Sequence, residues 1–230
     1  MKPIRLVCAT RQPQENFLEG TALGRSLQKF TKEPGPELQL FCSNDQGLPS
    51  IYNFALKYAE EQPAILVFLH DDIYLCDFFW MDRVREGLKK FDVIGLAGNT
   101  RRVPNQPAWA FTTAVPKFQW DEPRFLSGSV GHGKGFPCDS IAVFGPSSQE
   151  CKLLDGLFLA ADSTVLNKRG VRFDERFDFH FYDMDFCREA EQKGLRMGTW
   201  PISVVHESGG AFGSPGWIKG YEKYLTKYQG

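Results

Sequence analysis

The chain has 230 residues, 42% hydrophobic and 24% charged, which are the proportions of a folding globular protein with a sizeable core and exclude a disordered segment or a disulfide-stapled miniprotein. Lys and Arg number 27 against 28 Asp and Glu, a formal charge of −1, so nothing draws the whole molecule to nucleic acid or an anionic membrane, and any bound anion is held locally. The apolar runs stop well short of the ~20 residues of a membrane span. With no signal-peptide core at the N-terminus and six cysteines lacking any C-x-x-C pair, a reduced, cytoplasmic protein with no transmembrane segment is expected.

Ile4–Ala9 has no polar face after Arg5 and predicts a strand buried on both sides of a sheet. Asn16 to Phe30 is loosely helical through Phe17, Leu18, Leu23 and Leu27, and Lys32–Pro36 breaks it with two prolines and a glycine. Leu38–Cys42 predicts a second strand. Pro49–Glu61 predicts an amphipathic helix with Ile51, Phe54, Ala55, Tyr58 and Ala59 on its apolar stripe and Pro49 in its first turn. Ala64–Leu69 predicts a third buried strand, Phe78–Leu88 a helix and Val93–Ala97 a strand, an alternation that calls for a mostly parallel sheet. Asn99 to Pro137 is rich in Pro, Gly and aromatic residues without sustained periodicity and reads as a long functional loop. Asp139–Phe144 and Leu153–Ala160 read as strands, Asp183–Lys193 as a helix stopped at Gly194, and Met197–Val205 as a last strand interrupted by Pro201. Trp217–Tyr228 carries an aromatic helical stripe that can lid a site, pair with a second subunit in a homodimer, or pack on the body, the last being the reading adopted. No linker composition divides the chain, so one domain spanning 1–230 is expected, with 1–98 as its nucleotide-binding half and 99–230 as its acceptor half.

Three constellations can carry chemistry. His70-Asp71-Asp72 directly follows an apolar strand, and in an open parallel sheet ligands gather at the carboxyl ends of strands. Two acids there suit a hard divalent cation, Mn²⁺ or Mg²⁺, although an acid pair can equally cap the following turn. Asp183-Met184-Asp185 opens a helix that contains Arg188. First-turn acids commonly serve the helix dipole, but the neighbouring Phe179, Phe181 and Tyr182 would desolvate a carboxylate and raise its pKa toward that of a general base. His206 follows an apolar strand and precedes Glu207-Ser208-Gly209-Gly210. A lone histidine there is ordinarily a hydrogen-bonded residue; beside a waiting acid it can complete a metal site. Gly128 to Gly135 imitates a phosphate loop but has Gly135 where the metal-binding hydroxyl belongs and Phe136-Pro137 where a helix should open, so it reads as a mobile loop. Lys134, Arg101 and Arg102 offer positive charge to a diphosphate or remain solvated surface residues.

The order of these pieces resembles the inverting glycosyltransferases of GT-A fold, in particular the family-2-like group and its streptomycin-biosynthesis-type relatives. Leu6-Val7-Cys8-Ala9-Thr10-Arg11 is similar to that family's first strand, Asp45 to the acid after its second, and Tyr52-Asn53 to a helical signal. His70-Asp71-Asp72 resembles its D-x-D motif with His70 in the first acid's place, and Asp155-Gly156-Leu157-Phe158-Leu159 resembles an acceptor-side segment. Tyr182-Asp183-Met184-Asp185 with Arg188 resembles its E-D-x-D and arginine, with Tyr182 in place of Glu, and His206 resembles its late metal histidine, followed by a mobile loop at Glu207–Gly216. The resemblance implies an α/β protein whose mixed, mostly parallel central sheet is flanked by helices. It implies transfer of a sugar from a nucleoside diphosphate sugar to a saccharide or other hydroxyl acceptor, with inversion. Asp183 would be the base, Asp72 and His206 the ligands of Mn²⁺ or Mg²⁺, Thr10, Arg11, Asp45, Asn53, His70 and Asp71 the donor contacts, and Asp155, Gly156, Asp185 and Arg188 the acceptor contacts. Two other readings stay open: a binding module on the same fold without chemistry, and a sugar nucleotidyltransferase, which would want a glycine-rich basic loop where Thr10-Arg11-Gln12-Pro13-Gln14 stands.

Overall fold

The computed structural model describes residues 1–30, 35–114 and 117–228. The helix break expected at Lys32–Pro36 falls mostly outside them, and so does a short part of the long loop expected between Asn99 and Pro137. A seven-stranded sheet has the order Glu150–Cys151, Met197–Thr199, Val93–Gly95, Phe158–Asp162, Ile65–Leu69, Ile4–Ala9, Glu37–Phe41. Ile4–Ala9 is parallel to both its neighbours, and Phe158–Asp162 runs antiparallel between Ile65–Leu69 and Val93–Gly95. Met197–Thr199 follows Val93–Gly95 in parallel and Glu150–Cys151 opposes it, so five of the seven strands point one way. Helices flank this mixed, mostly parallel sheet.

A second sheet has the order Leu153–Leu154, Ala97–Asn99, Leu126–His132, Val204–His206, Ile73–Leu75, with Ser140–Gly145 also paired to Leu126–His132. The chain passes between the sheets repeatedly. Ile65–Leu69 leads to Ile73–Leu75, Val93–Gly95 to Ala97–Asn99, Met197–Thr199 to Val204–His206, and Leu153–Leu154 to Phe158–Asp162. The single strands expected at Val93–Ala97, Leu153–Ala160 and Met197–Val205 are therefore each two strands in two sheets. Pro201, which cannot donate to a ladder, lies in the last of these crossings.

The long segment after Asn99 is not all loop: Leu126–His132 is a seven-residue strand inside the second sheet, and the larger part of the glycine tract expected to be mobile, Gly128 to His132, belongs to it. Its glycines are there for close approach. A Cβ on Gly128, which has φ +96°, would sit on the carbonyl oxygen of Leu96, and one on Gly131 would come 2.8 Å from that of Val204. Helix Leu48–Glu61 has Pro49 in its first turn and buries Leu48, Ile51, Tyr52, Ala55, Leu56 and Ala59. Phe54 and Tyr58, expected on that stripe, are 56% and 41% exposed; Phe54 meets Phe41 edge to face, and Tyr58 lies under the Arg5 guanidinium at 4.8 Å. Helix Tyr182–Gln192 closes as expected on Gly194 (φ +76°), with Leu195 N–H bonding Ala190 C=O at 2.9 Å. Helix Ser163–Arg169, capped by the Asp162 carboxylate and Gly170, escapes a reading by apolar period because only Ser163 and Leu166 of its residues are buried. Among the described residues no helix is long and apolar enough to cross a membrane.

Candidate active site

The crossings between the sheets deliver the functional side chains to one cavity of about 370 Å³. Residues 70–72 join Ile65–Leu69 to Ile73–Leu75, Asp155 and Gly156 join Leu153–Leu154 to Phe158–Asp162, and His206 ends Val204–His206. Asp183 stands in the first turn of helix Tyr182–Gln192. His70, Asp72, Asp155, Gly156, Asp183 and His206 all line the cavity.

His70, Asp72 and His206 can offer one ligand atom each within 4.8 Å of one another. His206 Nε2 lies 3.3 Å from Asp72 Oδ2, and His70 Nδ1 lies 4.0 Å from Asp72 Oδ1. Burial pushes the Asp72 carboxyl up, but the His206 hydrogen bond and charge outweigh it and bring the pKa to about 2. Burial pulls His206 down, yet the bond to Asp72 raises it overall; burial dominates at His70 and lowers it. Tyr182 Oη donates to Gly156 C=O at 2.8 Å and lies 2.9 Å from His70 Nε2. A hydroxyl has one proton, so His70 must donate from Nε2, which leaves Nδ1 a bare lone pair facing a carboxylate. Asp72 Oδ1 is itself buried without a hydrogen-bond partner. Two lone pairs facing each other at a buried site want a cation between them, and an imidazole–carboxylate–imidazole set is chemistry that Mn²⁺ accepts. The residues present therefore fit the implied metal, and His70, expected as a donor contact, stands beside Asp72 and His206 as a third group that could hold it.

Asp183 receives the Gly156 N–H at 3.1 Å and the Met184 N–H at 2.9 Å. Burial, and then the negative charge of Asp155, push it up to about 7. Asp155 accepts from the Trp109 indole at 2.8 Å and from Leu157 N–H at 3.1 Å. Gly156 has no alternative: a Cβ there would overlap the Tyr182 hydroxyl and press on Asp183. Phe181, just before the helix, is buried at φ +68°, a strained conformation for a bulky residue. Stacking with Tyr221 and Tyr224 of helix Pro215–Lys227 holds it there.

The other expected contacts lie elsewhere. Thr10 donates to Asp71 Oδ2 at 2.6 Å while Leu23 N–H bonds Asp71 C=O at 3.0 Å, so this pair ties the first strand to a helix; Arg11 and Asp45 are exposed. Asn53 brackets Phe173 with both amide atoms, at 2.8 and 2.9 Å, and pins that backbone rather than facing the cavity. Asp185 and Arg188 do not line the cavity either. Asp185 accepts from Lys227 at 2.5 Å and Tyr228 at 2.6 Å, and Arg188 lies 3.7 Å over the Tyr228 ring, because their helix face is covered by the C-terminal helix. Arg101 is paired with Asp121, and Arg102 with Glu191 at 2.7 Å, so neither is free for a diphosphate, while Lys134 is exposed. Sequence reasoning passed over His132 and His180, which also line the cavity; their signal was only histidine beside a motif already noted.

A mixed sheet with acids and imidazoles at its strand ends is the architecture of the GT-A glycosyltransferases. A profile described as "Glycosyltransferase like family" matches residues 28–208, and the chain belongs to that family. Among solved structures, one of S. aureus TarS is 14% identical with a TM-score of 0.51, over 98% of this chain and 39% of that one. A structure of GalNAc-T7 with UDP, GalNAc and Mn²⁺ is 12% identical with a TM-score of 0.53, over 98% of this chain and 48% of that one. The chain thus spans less than half the length of either, and the likeness is one of fold. No curated protein matches the sequence.

Proposed function

We propose that this glycosyltransferase moves a sugar from a nucleoside diphosphate sugar to a hydroxyl acceptor with inversion, assisted by Mn²⁺ or Mg²⁺ held by His70, Asp72 and His206. The observation that carries the reading is Asp183, a carboxyl poised at about 7 in the same cavity as the three-ligand cluster. The fold is shared with a GalNAc-T7 structure that holds UDP, GalNAc and Mn²⁺, which supports a nucleotide donor and a divalent ion.

His70, Asp72 and His206 would hold the divalent ion, whose positive charge would offset the negative charge that builds on the departing diphosphate. Asp183 takes the acceptor proton while the acceptor oxygen bonds to the anomeric carbon and the bond from that carbon to the diphosphate breaks. A single base and one displacement give inversion. Asp155, fixed by Trp109 and Leu157, keeps Asp183 basic and leaves carboxylate lone pairs for the acceptor hydroxyl. The aromatic walls of the cavity keep out water that would hydrolyse the donor. On this reading 1–98 serve chiefly the donor and 99–230 the acceptor, and one chain carries the whole cluster.

The test is turnover of a panel of nucleoside diphosphate sugars with Mn²⁺. Asp183→Asn is expected to lower it by about 10²–10⁴-fold. Unchanged turnover in that variant removes Asp183 as the base, and turnover no higher than background with every donor favours a binding module.

A further inference from the structure

Resting on the transfer reading above, we infer that the aromatic end of the cavity is an acceptor subsite for an uncharged sugar ring, with Trp120 and Phe212 as its specificity-determining faces. Trp109, Phe111, Trp120, Phe144, Phe212 and Trp217 line one cavity with Asp155 and Asp183. Phe111 is buried at the centre, with Trp120 at 4.8 Å and Phe212 at 5.2 Å between ring centroids. Trp120 and Phe212 nevertheless stay 54% and 46% exposed, so aromatic surface is left uncovered inside a built site. A pyranose offers the matching shape, an apolar C–H face rimmed by hydroxyls. The Trp109 indole, bonded to Asp155 at 2.8 Å, joins this wall to the acidic groups that would receive a hydroxyl. The volume, about 370 Å³, lies near the small end of the roughly 300–1,000 Å³ of small-molecule sites. It suits the donor sugar and one further ring.

Charge selects the class. Asp72, Asp155 and Asp183 line the cavity, and among the described residues no Lys or Arg does. With the cluster's cation taken up by the donor diphosphate, a phosphate or carboxylate on the acceptor would meet Asp155 and Asp183 beside the aromatic faces with no lysine or arginine to pair it. The matched family region ends at residue 208, so Phe212 and Trp217 lie beyond it, and this half of the wall goes further than the family profile.

The experiment titrates the protein, with Mn²⁺ and a saturating nucleoside diphosphate present to occupy the ion, with methyl and phenyl hexopyranosides and with the same hexoses as 6-phosphates. It follows intrinsic fluorescence, because Trp109, Trp120 and Trp217 line the cavity. Neutral glycosides are expected to saturate the signal at concentrations at least about ten-fold below their phosphates. Trp120→Ala and Phe212→Ala should each weaken them about ten-fold, with Trp120→Phe restoring most of the loss. Equal or tighter binding of the phosphates, alanine variants that bind as wild type, or no saturable response would each overturn the inference. A parallel thermal shift with nucleoside diphosphate and Mn²⁺ separates the two claims: stabilisation kept while ring binding fails overturns the subsite alone, and loss of both overturns the transfer reading as well.

Discussion

The Tyr182 hydroxyl has one proton, and its destination orders the whole cluster. Given to Gly156 C=O at 2.8 Å, it obliges His70 to donate from Nε2 and to present Nδ1 toward Asp72. Tyr182, which the resemblance set in the place of a glutamate, thereby becomes the residue that orients the His70 imidazole. The neighbouring Asp183 is the most sharply testable single group. Its pKa in the fold is about 7 against an ordinary 3.8, so the carboxyl is protonated on folding between those values. As a base it must be ionised, and turnover is expected to fall as pH drops through about 7; a pH–rate profile flat from 5 to 8 would contradict the assignment. The stability consequence has the opposite sense: the fold loses stability as pH rises from about 4 to about 7, because ionising Asp183 where it is buried, and beside Asp155, is costly. Asp183→Asn removes that cost. The variant should melt above wild type at pH 8, by about 2–4 °C for each kcal/mol recovered, and level with it at pH 4. The sequence disclosed Asp72, Asp183 and His206, because an acid or imidazole after an apolar strand or among aromatic residues is locally visible. It could not disclose that Asn53 holds Phe173 or that Asp185 faces Lys227, since both depend on partners distant in sequence.

Helix Tyr182–Gln192 carries the base on one side and rests on the C-terminal helix by the other. Asp185 is 1% exposed and its pKa is raised by burial, with Lys227 and Tyr228 working against the rise. Replacing Lys227 by Met leaves a buried carboxylate with the Tyr228 hydroxyl as its remaining partner in that network. Denaturant unfolding should show a loss of about 1–3 kcal/mol. A loss within error of zero would mean the pair does not anchor the helix. Of the uses open to the Trp217–Tyr228 stripe, packing on the body is what the fold displays: Trp217 and Tyr224 are buried, and Trp217 also lines the cavity. At this scale the misreadings share one cause. A strand that leaves one sheet and enters another keeps its apolar character throughout, so Val93–Gly95 with Ala97–Asn99, or Met197–Thr199 with Val204–His206, reads as one element until the pairing is known. The strand Leu126–His132 was hidden differently, by glycines and serines that signal loop in sequence but here allow strands to approach closely.

For the molecule as a whole, the alternation of buried strands and amphipathic helices over the first half made the mostly parallel sheet legible, and its strand ends located the cleft. The aromatic compartment was legible in part: Trp109, Phe111 and Trp120 come from one aromatic-rich stretch, whereas Phe144, Phe212 and Trp217 converge on it only through folding. The same holds for the proposal that residues 70, 72 and 206, distant in sequence and brought together by the fold, hold one divalent ion. It is tested most directly by titrating the protein into Mn²⁺ and following the electron paramagnetic resonance signal of the free ion. The account predicts loss of that signal at one equivalent, with Asp72→Asn and His206→Ala each weakening the binding at least about ten-fold. A signal that persists past stoichiometry in the wild type, or variants that bind Mn²⁺ as tightly as the unaltered protein, would contradict it.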